Sequence, residues 1–290
     1  MSLSVSNNLT NMAQPIAQKL LVVGGSGFLG MNICKIAANK GWETVSLSKR
    51  GEPTLFTEYG KPEWAHKVQW ASGNSLQPDT YKDLLKDVTA VVHSVGILME
   101  NDYKSIAQAK SLCEAASGVP RLLLGMKDHG NPLDPKLSNN PRPTYEMMNR
   151  DTVKTVADQV SHVPTVRSFV YISASDVFPF IDPRYITTKR EAERYLFQQD
   201  DKFKTVVLRP GFMYNVARPT AVPIAGALQF VNAVTSPFKS GIASLPGGKI
   251  ITTPPLQTEQ VARAVIAGIE SKQSGIFDVE GIEKLSHVAI

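Results

Sequence analysis

The stretch "KLLVVGGSGFLGMNICKIAANKG", residues 19–41, constrains this chain more than any other. Leu20, Leu21, Val22 and Val23 form an apolar run too short for a helix, so they read as a buried strand. Phe28, Leu29, Ile33, Ile36 and Ala37 then recur at helical spacing up to Asn39. Between the two lie Gly24, Gly25, Gly27 and Gly30, which satisfy both G-x-G-x-x-G and G-x-x-G-x-x-G. Glycine permits positive φ in a tight turn, its missing side chain lets backbone approach a pyrophosphate, and the last glycine lets helix press on strand. Amides at the helix N-terminus then face the anion. Gly24, Gly25, Ser26, Gly27, Phe28, Leu29 and Gly30 are therefore expected to cradle a dinucleotide.

The second strand, "ETVSLSKRG", should end near Ser48. A site that prefers NAD(H) usually carries Asp or Glu here, bonded to the ribose 2′-hydroxyl. This chain has Ser48, Lys49 and Arg50 instead, and such cations accept a 2′-phosphate. The expected cofactor is NADP(H) in preference to NAD(H). The plainer alternative is that Lys49 and Arg50 are solvated loop residues.

Strand and helix signals alternate onward. "HKVQWASGN" reads as strand three, "DTYKDLLKDV" as a helix capped by Asp79, and "TAVVHSVG" as strand four running toward the cofactor at Ser94, Val95 and Gly96. "YEMMNRDTVKTVADQV" reads as a helix, "VRSFVYISAS" as strand five, "RYITTKREAERYLFQQ" as a helix, "KFKTVVLRPGFMY" as strand six, "PLQTEQVARAVIAGIES" as a helix and "GIFDVEG" as a late strand. Alternation of this kind gives βαβ units and an α/β, doubly wound parallel sheet. Residues 99–143, rich in Pro, Asn and Gly, resist assignment and read as an irregular segment.

Composition narrows the function classes. Net charge is +5 without a run of basic residues, and no nucleic-acid-binding motif stands out. No apolar stretch reaches ~20 residues, the length a membrane-spanning helix needs. Residues 1–18 read as a flexible tail; they lack acidic residues but also lack arginine, which makes a poor mitochondrial presequence. Cys34 and Cys113 read as free thiols, and five isolated histidines offer no metal site. His93, at the end of strand four, reads as a packing or hydrogen-bonding residue.

Tyr185 and Lys189 form Y-x-x-x-K, which puts an ammonium and a phenol on one helix face. A free tyrosine titrates near ~10, too high for neutral-pH proton transfer, and lowering that by two or three units takes about 3–4 kcal/mol. A lysine, a positive nicotinamide and exclusion of water could supply it. Ser173 and Ser175 follow the apolar strand just before, at the carboxyl end where parallel sheets bind ligands.

Together "VVGGSGFLG", "VVHSVG", "FVYISAS", "YITTK", "LRPGFMY" and "PPLQTEQVARAV" resemble, in order, the extended or atypical short-chain dehydrogenase/reductase family with its Rossmann fold. The resemblance covers about residues 19–279. It implies that Tyr185 exchanges a proton with a substrate oxygen, that Lys189 bonds the nicotinamide ribose and lowers the tyrosine pKa, that Ser173 holds the substrate oxygen, with Ser175 as fallback, and that Asn149 completes a proton relay. It also implies a Rossmann domain over 19–210, with Pro210 and Gly211 beside the cofactor at the sheet exit, and a C-terminal substrate lobe over 211–290 packing back on it. Two features depart from the family pattern: Ser173 and Tyr185 stand only twelve residues apart with Pro179 and Pro183 between, and Asn74 replaces the usual acid against adenine.

"YEMMN", "ISAS", "TTKREAE" and "RPGFMY" are similar, more narrowly, to the fungal mitochondrial members of this family in the coenzyme Q biosynthetic complex, relatives of the Rossmann-type accessory subunit of respiratory complex I. That resemblance implies coenzyme Q complex proteins as partners, polyprenyl-quinone chemistry and the matrix side of the inner membrane. The apolar, proline-broken segment 216–240 is either a helix packed on the Rossmann body or a face for prenyl lipid or membrane. The alternative to an enzyme is a non-catalytic Rossmann scaffold or sensing subunit.

Overall fold

Seven short strands of near-continuous Val, Ile, Leu and aromatic residues need cover on both faces, and helices supply it. The computed structural model describes residues 18–98, 143–175, 181–215 and 253–288. The tail, most of the irregular segment including Cys113, Pro179 and the 216–240 segment lie outside the described residues.

The first six strands are β1 (Lys19–Val23), β2 (Glu43–Ser48), β3 (Val68–Ser72), β4 (Ala90–His93), β5 (Ser168–Ile172) and β6 (Lys204–Leu208). A two-stranded parallel pair, β7 (Met213–Tyr214) and β8 (Leu256–Gln257), stands apart, and β9 (Gly275–Phe277) closes the main sheet. The sheet order is β3-β2-β1-β4-β5-β6-β9, and every pairing is parallel. The register aligns the carboxyl ends: Val23 sits opposite Leu47 and His93, and His93 opposite Tyr171.

Alternate residues of each strand feed two cores. Leu20, Val22, Val92 and Val206 pack with α1 (Gly30–Asn39), α6 (Thr258–Glu270) and α7 (Val279–Val288) on one face. Leu21, Val23, Phe169 and Val207 pack with α4 (Thr152–Ser161) and α5 (Pro183–Phe197) on the other. The short α2 (Leu55–Tyr59) and α3 (Glu63–His66) link β2 to β3, and Phe56, Trp64 and Trp70 meet there edge to face. In α6, Val261, Val265 and Ile266 are wholly buried; each such side chain contributes about 1.5–3 kcal/mol by leaving water.

Local signals explain where helices begin. Pro183 opens α5 and the Asp182 side chain accepts from the Arg184 N–H at 2.9 Å. Gln257 and Gln260 form a reciprocal capping box on α6. The helix expected over 79–88 is instead two 3₁₀ turns, Pro78–Thr80 and Lys82–Leu85. Asp79 does not cap; it pairs with Lys82, and Thr80 donates to the carbonyls of Gln77 and Asn74, which holds the chain in turns. The helix read from Tyr145 begins as a π-helical turn, Glu146–Asp151, before α4 proper.

The chain reverses the direction of strand addition after β3, when it returns to place β4 against the far side of β1. The crevice this leaves at the carboxyl ends of β1 and β4 is where open α/β sheets bind ligands.

Candidate active site

The glycine turn fills that crevice on one side. Gly24 has φ +89°, and a Cβ there would meet Ser94 Oγ at 2.7 Å. Ser94 in turn donates its hydroxyl to the Val23 carbonyl at 2.9 Å, which ties β4 to β1 at the site. A Cβ on Gly30 would lie 2.1 Å from the Gly24 carbonyl oxygen, and one on Gly25 would lie 2.3 Å from Ser46 Oγ. These glycines are thus required first by the turn's own packing. The N-terminus of α1 has no side-chain cap and no acidic residue in its first turn. Among the described residues, the N–H groups of Leu29 and Gly30 make no hydrogen bond. Uncapped amides on a turn free of acids suit a pyrophosphate, so the residues present fit a dinucleotide.

The second group lies at the ends of β2 and β3. A tight turn closes from the Gly51 N–H to the Ser48 carbonyl at 3.2 Å, and leaves Lys49 and Arg50 exposed at its tip. The Ser48 hydroxyl donates to the Gly51 carbonyl at 3.0 Å. Glu52 is held by Lys61 at 2.5 Å. Asn74 is committed locally, its side-chain oxygen accepting from the Leu76 N–H at 3.2 Å.

The third group gathers at the ends of β4 and β5. Asn149, fully buried, clamps the chain after β4: its Oδ1 accepts from the Ile97 N–H at 2.8 Å and its Nδ2 donates to the Ile97 carbonyl at 3.1 Å. The Asn149 carbonyl accepts from the Tyr171 hydroxyl at 2.9 Å. Gly96 passes so close that a Cβ would lie 2.9 Å from Asn149 Oδ1 and 3.3 Å from Lys189 Nζ. The Lys189 ammonium donates to the Ile172 carbonyl at 3.1 Å and stands 5.6 Å from the centre of the Tyr185 ring. Burial pushes its pKa down to about 7, with Glu193 pulling it up and Arg190 pushing it further down. Tyr185 is nearly buried, against Tyr145 at 6.1 Å between ring centres. Burial, and the neighbouring Tyr145, hold its phenol above the ordinary value rather than below it. The lowering expected from Lys189 is therefore not achieved by the chain's own groups.

Ser173, expected at the substrate oxygen, is engaged by two side chains of α5. Its hydroxyl donates to Glu193 Oε1 at 2.5 Å and accepts from Arg190 Nη1 at 3.0 Å. Glu193, 3% exposed, also accepts from Arg190 and from both Nε and Nη2 of Arg209. Arg190 further donates to the Ala174 carbonyl at 2.9 Å, so α5 is welded to the exits of β5 and β6. Ser175 is half-buried, its N–H donating to the Pro210 carbonyl at 2.8 Å. Pro210 and Gly211 are buried, and a Cβ on Gly211 would meet Thr253 at 3.0 Å, so that glycine serves packing.

Glu193, Arg190, Tyr145 and Tyr171 were invisible as site residues in the sequence. The one available signal is that Glu193 follows Lys189 by four residues, which places a carboxylate on the same inward helix face. His93 lies under Tyr171, fully buried, with neither ring nitrogen hydrogen-bonded among the described residues. Burial first, then the Lys189 charge, push its pKa down to about 3, so the imidazole is neutral. Among the described residues no cluster could hold a metal, and no helix is long and apolar enough to cross a membrane.

Comparison with known proteins bears on the family and the fold. The model of the NAD dependent epimerase/dehydratase family matches residues 20–131. The chain is 34% identical over 284 residues to MIOREX complex component 2 of Saccharomyces cerevisiae, covering 92% of this chain and 99% of that one. It is 26% identical over 294 residues to a chloroplastic protein of Arabidopsis thaliana, covering 98% and 82%. Among solved structures, UDP-glucuronic acid 4-epimerase from Bacillus cereus in complex with NAD matches with TM-score 0.53 at 15% identity, over 90% of this chain and 78% of that one. MoeE5 in complex with UDP-glucuronic acid and NAD matches with TM-score 0.54 at 16% identity, over 90% and 76%.

Proposed function

This chain belongs to the NAD-dependent epimerase/dehydratase family, and on that premise we propose that it is an NADP(H)-binding oxidoreductase serving ubiquinone biosynthesis. The observation that carries the chemistry is the meeting of Gly96, Asn149, Lys189 and Tyr185 beside the glycine turn. The free amides of Leu29 and Gly30 would receive the pyrophosphate, and Lys49 and Arg50 the 2′-phosphate. Bound nicotinamide would supply or take hydride. Lys189, whose ammonium needs a partner beyond one carbonyl, would hold the ribose hydroxyls over Gly96. Tyr185 would move the proton at the substrate oxygen, and the positive charge of the oxidised ring would offset the burial that raises its phenol. Asn149 would hold the Gly96–Ile97 backbone in place at the cofactor site.

The setting is a multi-protein assembly on the matrix side of the mitochondrial inner membrane, in company with the coenzyme Q biosynthetic proteins. It is supported by the motif resemblance and by the yeast relative's being a component of the MIOREX complex. The test is thermal stabilisation by NADPH and NADH, repeated in Arg50→Ala. Selective stabilisation by NADPH that Arg50→Ala reduces by about tenfold in Kd, one lost charge-assisted contact, supports the reading; equal response to both cofactors refutes the NADP preference. Ubiquinone content unchanged in cells that lack the protein would refute the pathway.

A second reading, a non-catalytic scaffold or sensor, draws on two observations: the Ser173 hydroxyl is held by Glu193, and the Tyr185 phenol is held high. Full rescue of ubiquinone synthesis by Tyr185→Phe would favour it.

A further inference from the structure

Tyr171 lies in a central strand, laddered to β4 through His93 and to β6 through Val207. Its side chain is wholly buried. The hydroxyl and the ring face each meet a group of the candidate site. The hydroxyl donates to the Asn149 carbonyl at 2.9 Å. That carbonyl belongs to the π-helical turn Glu146–Asp151, a rare geometry that recurs at functional sites. The same Asn149 clamps Ile97 with both ends of its amide. The Lys189 ammonium stands over the Tyr171 ring, 5.2 Å from its centre, and over the Tyr185 ring at 5.6 Å. Asn149 and Lys189 come from different helices, and Gly96 runs so close to both that a Cβ there would lie 2.9 Å from Asn149 Oδ1 and 3.3 Å from Lys189 Nζ. Tyr171 touches both groups from the sheet.

A buried ammonium prefers its neutral form unless something offsets the lost water. Lys189 is 4% exposed, and burial pushes its pKa down to about 7. Among the described residues, the titratable and charged groups that face it are Glu193, Arg190 and Tyr185 from its own helix, Tyr171 from β5 and His93 from β4. Glu193 favours the charge, Arg190 opposes it, and His93 is neutral. An aromatic face beneath a desolvated cation favours the charged form by about tenfold or more. We propose that Tyr171 is a positioning residue of this site: its ring keeps charge on the Lys189 ammonium, and its hydroxyl fixes the π-helical turn through which Asn149 holds the Gly96–Ile97 backbone.

The importance of that role rests on the reading of Lys189 and Asn149 as cofactor-site groups. The two parts separate chemically, because phenylalanine keeps the ring and loses the hydroxyl, whereas pentafluorophenylalanine keeps the shape and reverses the charge of the ring face. The experiment is an NMR titration of the full chain with carbon-13 at lysine Cε, the Lys189 signal being identified by its loss in Lys189→Met. The native midpoint should lie near pH 7. In Tyr171→Phe the midpoint should stay, while the Ile97 amide exchanges about five- to tenfold faster relative to amides of the β1–β2 ladder, the worth of one hydrogen bond. With pentafluorophenylalanine at 171 the midpoint should fall by about one pH unit. Tyr171→Leu, which has no ring, should repeat that fall. A midpoint unmoved in both ring-altered chains, or one that falls equally in Tyr171→Phe, would overturn the role of the ring; unchanged Ile97 exchange in Tyr171→Phe would overturn that of the hydroxyl. If these responses appear but neither NADPH nor NADH alters the melting temperature, the oxidoreductase reading falls, and the action of Tyr171 on Lys189 and Asn149 stands.

Discussion

Replacing Glu193 with Gln removes one charge and no volume from the most crowded polar contact in the site. In the native chain burial alone would raise the carboxyl pKa, but hydrogen bonds from Arg209 and Ser173 and the charges of Arg190 and Arg209 outweigh it and hold it below the ordinary value. Glutamine leaves two guanidinium groups facing each other across a neutral amide, and its NH₂ meets donors where the carboxylate met them as an acceptor. Removing one partner of a buried pair costs about 3–5 kcal/mol. The Arg190 and Arg209 side chains keep 24% and 28% of their exposure, so water recovers part of that. The expected loss is about 2–3 kcal/mol after that discount. Unfolding entropy of roughly 2.1 cal/mol/K per residue converts this to a fall in Tm of about 3–5 °C for a chain of this length. The pH dependence follows from the direction of the shift. A carboxyl held low when folded stabilises fully above its unfolded value near ~4.3, and that stabilisation is lost as pH falls through the folded value. Calorimetric melts of native chain and variant should therefore differ most at neutral pH and converge below about pH 4. A difference under 1 °C at pH 7, or one that widens in acid, would refute the account of Glu193 as an ionised tie between α5 and the strand exits.

Two further outcomes follow from the same geometry. Gly30→Ala forces a Cβ to within 2.1 Å of the Gly24 carbonyl and 2.7 Å of Gly25 Cα, both backbone atoms; chemical denaturation should show a loss of about 1–3 kcal/mol, and NADPH should no longer raise the melting temperature. Lys189 releases its proton near pH 7 when folded and near ~10.4 when unfolded, so the unfolded state holds more protons between those values and stability rises with pH there. Urea unfolding at pH 6.5, 8 and 9.5 should show that rise in the native chain, at most about 1.4 kcal/mol per pH unit from this group, and a flatter profile in Lys189→Met.

The architecture was legible because its determinants are local. Short β-branched runs separated by helical periodicity mean buried parallel strands with crossovers, and right-handed crossovers leave little choice of topology. The glycine turn was equally plain, since a missing Cβ is a property of the residue itself. The stretch 79–88 misled because its polar side chains find carbonyls within six residues, and those short-range bonds favour 3₁₀ turns over a continuous helix. At the site, Tyr185 and Lys189 could be named from spacing and strand position, and Asn149 from the family resemblance.

What those groups do to one another was decided elsewhere. Whether Ser173 faces a substrate or Glu193 depends on which acceptor lies nearest across twenty residues of chain, and on two arginines from different elements competing for the same carboxylate. Asn149 binds Ile97 across fifty-two residues. The amino-acid order determined the fold and the kinds of chemistry on offer, because backbone conformation and hydrophobic period are set within a few residues. The packed structure alone decided which partner each hydroxyl meets, because hydrogen-bond partners are chosen by distance in space.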